Sequence, residues 1–235
     1  MYFYNSTMKK FIIIVSSLIL VASAYSFSFS NLAKKVADTA STIAENDTTK
    51  ALSSKQETAL AKYKESKEEF LKGFSIIADA LGATELKKQA DDALAKVEAQ
   101  TEKNLDVEGV AKLTDEVIAK AQSDTTASSL ASSATDAVKA KYEEGMSYFK
   151  KAIDGEVEVA KVVSDVALQA RDAMNKAETS GEKIKIAATL KPSMELAKTI
   201  PEDISKSKDS VSSMLEKIKA KGATLSSDLL STLKK

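Results

Sequence analysis

Five Ser-x-x-Lys spacings are the nearest approach in this sequence to a nucleophile paired with a base. A serine hydroxyl becomes a nucleophile only when a neighbouring base takes its proton, and lysine fills that role in some enzymes. Chance alone gives a similar number of such spacings in a chain this rich in serine and lysine. We therefore expect no catalytic serine among the five, which begin at Ser6, Ser147, Ser180, Ser205 and Ser231.

Adjacent acidic residues are the second candidates, because carboxylates can ligate Ca²⁺ or Mg²⁺ or act as general acid and base. Neighbouring residues on a helix point about 100° apart, so such a pair does not converge on one ion or one bond. A solvated helix face is the favoured interpretation, and a metal binder or carboxylate-based enzyme is the least favoured hypothesis. The pairs are Glu68-Glu69, Asp91-Asp92 and Glu143-Glu144.

Histidine and cysteine are both absent from the 235 residues. Their absence excludes thiolate nucleophiles, disulfides, Ser-His-Asp triads and zinc sites built from Cys or His. The chain carries one arginine, Arg171, and a net charge of zero, so it lacks the basic stripe of a nucleic-acid binder. We expect no enzymatic activity, no catalytic residues, no cofactor, no metal and no nucleic-acid partner.

The composition predicts an all-α fold. The chain is 43% hydrophobic and 29% charged, with 7 Gly and 2 Pro, and alanine, lysine and glutamate are abundant. These residues lose little conformational freedom in a helix. Because much of the apolar content is alanine, each helix buries only a thin stripe. We expect an elongated antiparallel helical bundle.

A Lys-Tyr pair followed by phenylalanine occurs twice, at Tyr63 and Phe70 and again at Tyr142 and Phe149. A duplicated helical hairpin explains the repeat, and shared helix composition is the alternative. The four aromatic residues could line an apolar slot for a ligand between helices. Residues two turns apart on an apolar face are more often core, which is the favoured interpretation.

The repeat and the composition together predict the domain organisation. Similarity between residues 92–103 and 172–183 extends the repeat beyond the aromatic residues. We expect two related helical-hairpin modules separated by a Ser/Thr/Ala-rich linker. The predicted boundaries are 25–122 for the N-terminal module, 123–136 for the linker and 137–235 for the C-terminal module.

Apolar spacing gives the buried face of individual helices. In the second module the predicted stripe includes Ile153, Val157 and Ala160. Residues 199–202, Thr-Ile-Pro-Glu, match a capping box with proline in the first turn, and predict that a new helix starts there. The stripe of the first module passes over Lys67 and carries Leu60, Tyr63, Phe70, Phe74, Ile77 and Leu81.

The N-terminal residues have the three regions of a secretory signal peptide. Lys9 and Lys10 precede the apolar run 11–21, and small residues follow up to Ala24. Eleven helical residues span about 17 Å, which is short of a bilayer core of about 30 Å, so a retained anchor is the poorer interpretation. We expect residues 1–24 to be a signal peptide that starts in effect at Met8 and is cleaved near Ala24.

A short amphipathic helix is predicted after the signal peptide. Leu32, Val36, Ala40 and Ile43 are spaced by four, four and three residues, which places them on one face. The polar residues from Asn46 onward are expected to end this helix.

These observations favour an exported, non-enzymatic protein. We expect a periplasmic or extracellular location and a structural or interaction role in a bacterial cell envelope, with an envelope protein, a second copy or a small apolar ligand as partner. The alternative is a membrane-active or lipid-binding protein whose amphipathic helices open onto a lipid surface.

Overall fold

A computed structural model describes residues 47–123 and 136–220 of the chain. In these residues 93% are helical and no strand occurs, which confirms the all-α prediction. A 3₁₀ turn at Glu102–Asn104 joins α2 to α3. The six α-helices are α1 Asp47–Leu81, α2 Thr84–Glu98, α3 Val107–Ser123, α4 Asp136–Lys176, α5 Ser180–Thr189 and α6 Lys191–Ala220.

The predicted signal peptide, the amphipathic segment 32–43 and residues 124–135 of the predicted linker lie outside the described residues. Ser123 and Asp136, at the two ends of that linker, are the last described residue of α3 and the first described residue of α4.

The described residues divide into two compact units. Unit A comprises residues 47–60 and 159–198. Unit B comprises residues 61–123, 136–158 and 199–220. Each unit combines residues from both predicted modules, and the division at 123–136 stays a prediction.

Unit A has an apolar core built by α1, α4, α5 and the start of α6. The Gln56 side-chain amide donates a hydrogen bond to the backbone carbonyl of Thr189. Helix α5 begins with a capping box, in which the Thr179 hydroxyl accepts from the Glu182 N–H and the Glu182 carboxylate accepts from the Thr179 N–H. The core side chains are Leu52, Val166, Ala170, Met174, Ile186 and Leu190.

In unit B, α1 and α4 run antiparallel. Along the contact, residue numbers increase on α1 and decrease on α4. The contacting pairs are Lys62 with Glu158, Phe70 with Phe149, and Asp79 with Lys141. Helix α2 turns back on α1 after Gly82, whose φ of 69° is the left-handed conformation that favours glycine. The Ser75 hydroxyl donates to Asp91 of α2 at 2.5 Å.

The predicted stripe of α1 is buried at every position from Leu60 to Leu81 that the sequence pattern selects. Lys67, over which that stripe was expected to pass, is itself buried in the same row. On α4, Glu156 is fully buried whereas the predicted core residue Val157 is only half-buried. The predicted buried face is therefore correct for α1. On α4 it is wrong by one residue, because Glu156 is buried in place of the predicted Val157.

The predicted helix start at Thr199 is wrong. Helix α6 runs without interruption from Lys191 to Ala220, with Pro201 inside it. Proline removes one backbone N–H donor, yet packing holds the helix together here, since Ile200 and Ile204 on either side are buried. The only capping box with both reciprocal bonds in the described residues is at Thr179 instead.

Gly73 and Gly145 allow α1 and α4 to approach closely. A Cβ atom added at Gly73 would lie 2.7 Å from Cδ1 of Phe149 and 3.0 Å from the carbonyl oxygen of Gly145. Neither neighbour moves freely, because the Phe149 ring is packed against Phe70 and Phe74 and the other atom belongs to the backbone.

We expect Gly73→Ala to destabilise the protein by about 1–3 kcal/mol through overpacking. Helix propensity alone predicts the opposite sign, a gain of up to about 1 kcal/mol. Urea unfolding monitored by circular dichroism measures the difference, and a more stable variant would show that the two helices are not in close contact at this position.

A buried polar cluster as the candidate functional site

The densest group of reactive side chains lies in unit B. Its members come from three helices and occupy positions that the heptad pattern reserves for apolar residues. One row of buried positions on α1 is spaced by three and four residues, at 60, 63, 67, 70, 74, 77 and 81. Rows of buried positions on α4 and α6 have the same spacing. We call this group the Lys67 cluster, and its members are Tyr63, Lys67, Glu156, Asp203 and Ser207.

Lys67 is the centre of the cluster. Its Nζ lies 2.8 Å from Oε1 of Glu156 and 2.8 Å from Oδ2 of Asp203. The Tyr63 hydroxyl donates to the same Asp203 oxygen at 2.9 Å, and the Ser207 hydroxyl donates to Oε1 of Glu156 at 3.1 Å. The ammonium group also lies 5.3 Å from the centre of the Tyr63 ring, within cation–π range.

The cluster is closed to solvent and carries a surplus of negative charge. Lys67 is 1% exposed, Glu156 is fully buried and Asp203 is 4% exposed. Two carboxyl groups share one ammonium group, so full ionisation leaves one uncompensated negative charge in a low-dielectric site. Within the described residues, Oε2 of Glu156 has no hydrogen-bond partner.

The pKa shifts within the cluster follow from burial and from the neighbouring charges. Burial raises the pKa of Glu156, and the charge of Asp203 raises it further, against the opposing effect of Lys67. Burial by itself would lower the pKa of Lys67, but the attraction of Glu156 and Asp203 outweighs it, and the pKa is raised. Lys67 therefore keeps its charge, and Glu156 takes up a proton more readily than an ordinary glutamate does.

The pKa of the Tyr63 hydroxyl is raised well above its ordinary range, chiefly by burial and then by the charge of Asp203. Tyr63 therefore stays protonated and acts as a donor. A nucleophilic or basic lysine needs a lowered pKa, and a basic tyrosine needs to lose its proton. The cluster joins α1, α4 and α6 through its ion pairs and hydrogen bonds. Setting helix register is the best-attested role of buried polar groups.

A second lysine with two acidic partners lies on α6 in unit B. Lys206 Nζ is 2.7 Å from Oδ2 of Asp115 and 2.7 Å from Oε1 of Glu202. Hydrogen bonds to Asp115 and Glu202 raise the pKa of Lys206. Its side chain is 37% exposed, so water screens these pairs. Lys206 thus bridges two carboxylates, as Lys67 does, but without the burial.

The four aromatic residues predicted as a slot or a core are all buried. Phe70 and Phe149 come together, with ring centres 5.1 Å apart, and Phe74 packs edge-on against both. Tyr63 belongs to the Lys67 cluster, and Tyr142 is buried on α4. The ligand-slot interpretation of these residues stays a prediction.

None of the paired acids is a member of the Lys67 cluster, and neither is any residue of the three serine–lysine spacings that the structure describes. The spacings at Ser6 and Ser231 lie outside the described residues. Asp91 is bonded to Lys87 and Ser75, and Glu68 is bonded to Lys64 four residues before it. Within residues 47–123 and 136–220, no three acidic side chains converge in a way that could hold a metal ion.

Sequence reasoning missed Lys67, Glu156 and Asp203 as a group. One signal in the sequence could have found the group. Each of three helices has a charged residue at a heptad core position, and one of these residues is basic while the other two are acidic. A buried helix face that is predicted from apolar residues alone leaves out such positions. The prediction left out Lys67 and Glu156 for this reason.

Comparison with known proteins gives no identification. No family model matches the chain, and neither the curated proteins nor the solved structures contain a match.

Proposed function

We propose that this chain is an exported, non-enzymatic protein with a structural or interaction role in a bacterial cell envelope. In this proposal the helices form an elongated antiparallel bundle of two related hairpin modules, which binds an envelope protein or a second copy. Three features support the proposal: the all-helical structure, the bonds within the Lys67 cluster, and the signal-peptide pattern of residues 8–24.

One observation carries the non-enzymatic part of the proposal. The side chains best suited to chemistry, Lys67, Glu156 and Tyr63, bond to one another or to Asp203 inside unit B. The pKa values of Lys67 and Tyr63 move away from those of a neutral amine nucleophile and an ionised tyrosine. A buried network of this kind supports a role in specifying helix pairing.

The export part of the proposal rests on the sequence of residues 8–24. A basic start, an eleven-residue apolar run and small residues at the expected positions support cleavage near Ala24 and a periplasmic or extracellular location. None of the helices in the described ranges is long and apolar enough to cross a membrane.

The alternative function is binding to a lipid surface. The observation that favours it is the Lys67 cluster in unit B, because a buried ion cluster is often less stabilising than apolar residues of similar volume. Helices held together by alanine-rich stripes and by this cluster would need less free energy to separate and to place their apolar faces on lipid.

Co-sedimentation with liposomes distinguishes the two functions. We expect the protein to stay in the supernatant with vesicles of zwitterionic and of anionic lipid, and its helicity to be unchanged by circular dichroism. Strong sedimentation together with a gain in helicity would favour the lipid-binding alternative and would contradict the structural role.

A further inference from the structure

We propose that an open groove in unit A is a binding site for a linear aliphatic polyamine. The groove encloses about 670 Å³, which lies within the range of small-ligand sites. Helices α1, α4 and α5 and the residues between α4 and α5 line it. The groove therefore lies in a different unit from the Lys67 cluster and does not depend on the proposed role of that cluster.

The floor of the groove is apolar and consists mainly of small side chains. Leu52 and Ile186 are buried core residues of unit A that reach the groove. Ala173 and Ala177 pack on that core and are half-buried, whereas Ala51 is exposed. Alanine methyl groups leave room above them, and methylene groups of a ligand that lie there lose contact with water, which favours binding.

The sides of the groove carry an excess of acidic side chains. Of the described residues that line it, only Lys176 is basic. Neither Asp172 nor Glu178 has a salt-bridge partner among the described residues. Charge complementarity therefore favours a cationic ligand over an anionic or a neutral one. The carboxylates that line the groove are Asp47, Asp172, Glu178 and Glu182.

The helix ends at the groove favour the same charge. Ala173 and Lys176 lie in the last turn of α4, and the carbonyl groups at a helix C-terminus carry partial negative charge. The N-terminus of α5 has the opposite polarity, but its capping box already bonds the Glu182 N–H to Thr179. Backbone hydrogen bonds, chiefly from the Thr179 N–H and also from the Glu178 N–H, hold the pKa of Glu182 below its ordinary value. This carboxylate therefore stays charged at the groove.

The spacing of the charges distinguishes a polyamine from a metal ion. In the parts of the chain that the structure describes, no three acidic side chains converge in a way that could hold a metal ion. The carboxylates come instead from separate segments around the apolar floor. A linear polyamine has ammonium groups separated by methylene segments. Its ammonium groups can each contact a different carboxylate, while the methylene segments lie on the alanine floor.

Isothermal titration calorimetry of the whole chain with spermidine tests the proposal, at about 0.15 M salt, where long-range attraction between exposed charges is screened. We expect saturable binding of one spermidine per chain. Diaminooctane, which has ammonium groups at both ends of a comparable chain, should also bind, whereas the uncharged octanediol should not. An equal concentration of Mg²⁺ should not displace spermidine. Absence of saturable binding, equal binding of octanediol, or displacement by Mg²⁺ would each overturn the proposal.

Size-exclusion chromatography tests whether a second copy occupies the groove, since its lysine side chains have the same ammonium chemistry. We expect the same oligomeric state with and without spermidine. A dimer that spermidine dissociates would place a second copy in the groove and would overturn the proposal.

Two double variants locate the binding within unit A. Asp172→Asn with Glu178→Gln removes two groove carboxylates, and should weaken spermidine binding by about three- to tenfold. The matched control, Glu57→Gln with Asp165→Asn, removes the same charge from exposed residues of unit A outside the groove. Its affinity should stay within about twofold of wild type, because screening weakens distant charges. An equal loss in both double variants would mean that spermidine responds only to overall charge, and would overturn the proposal.

Discussion

Replacing Lys67 by methionine is expected to lower the free energy of unfolding by about 3–5 kcal/mol at pH 7. The methionine keeps a similar length but removes the ammonium group that both Glu156 and Asp203 contact at 2.8 Å. Two buried carboxyl groups then have no cation, and either their charge is uncompensated or they must take up protons. Urea unfolding followed by circular dichroism gives the change.

Lys206→Met is the matched control for this substitution. Lys206 also bridges two carboxylates, each at 2.7 Å, but its side chain is 37% exposed. Exposed ion pairs are worth roughly 0–1 kcal/mol each, so this variant should stay close to the wild type. If the two variants lost similar stability, burial would not be the source of the Lys67 effect. The claim that Lys67 and its two carboxyl partners are closed to solvent would then be contradicted.

Replacing Glu156 by glutamine is expected to remove a pH-dependent part of the stability. The pKa of Glu156 is raised in the folded protein, chiefly by burial. A group of this kind contributes stability that is fully present below its unfolded pKa, near 4.3, and is lost as pH rises through the folded pKa. Lys67 does not interfere in this range, because its raised pKa keeps it charged.

The measurement is the free energy of unfolding of wild type and Glu156→Gln at several pH values from about 4 to about 9, which starts below the unfolded pKa of glutamate. The difference between them, wild type minus variant, should fall as pH rises, by at most about 1.4 kcal/mol per pH unit for one proton. Exposed carboxylates titrate in both proteins and cancel. A difference that grows with pH would mean that Glu156 is stabilised as a carboxylate, contrary to the direction given by its burial.

Much of the fold could be predicted from the sequence because helix periodicity is a local property. The composition predicts the all-α class, and the stripe of α1 is buried as expected from Leu60 to Leu81. The buried residues of α2 also follow steps of three and four, at Leu86, Ala90, Ala93 and Val97. These positions depend on spacing within one helix, which the sequence contains in full.

The helix boundary at Thr199 could not be read correctly from local signals. Residues 199–202 have the side chains of a capping box, and proline is common in a first turn. Tertiary packing overrides both preferences, since Ile200, Ile204 and Val211 are buried along one continuous helix. Local propensity is a weak guide where a helix is held by its neighbours.

The candidate site was harder to predict than the fold, because it depends on which helices face one another. Lys67, Glu156 and Asp203 are separated by 89 and 47 residues. Each alone looks like an interruption of an apolar row or a solvated charge. Only their contact within unit B joins these three charges in one network of ion pairs.

The central claim is that Lys67 and Glu156 form one buried network across 89 residues of sequence, and a double-mutant cycle tests it most directly. The unfolding free energies of Lys67→Met, Glu156→Gln and the double variant are compared with wild type at pH 7. We predict a coupling energy of about 0.5–3 kcal/mol, with the double variant less destabilised than the sum of the singles, because Glu156→Gln removes the charge that Lys67→Met leaves unpaired. Effects that add to within about 0.5 kcal/mol would contradict the claim.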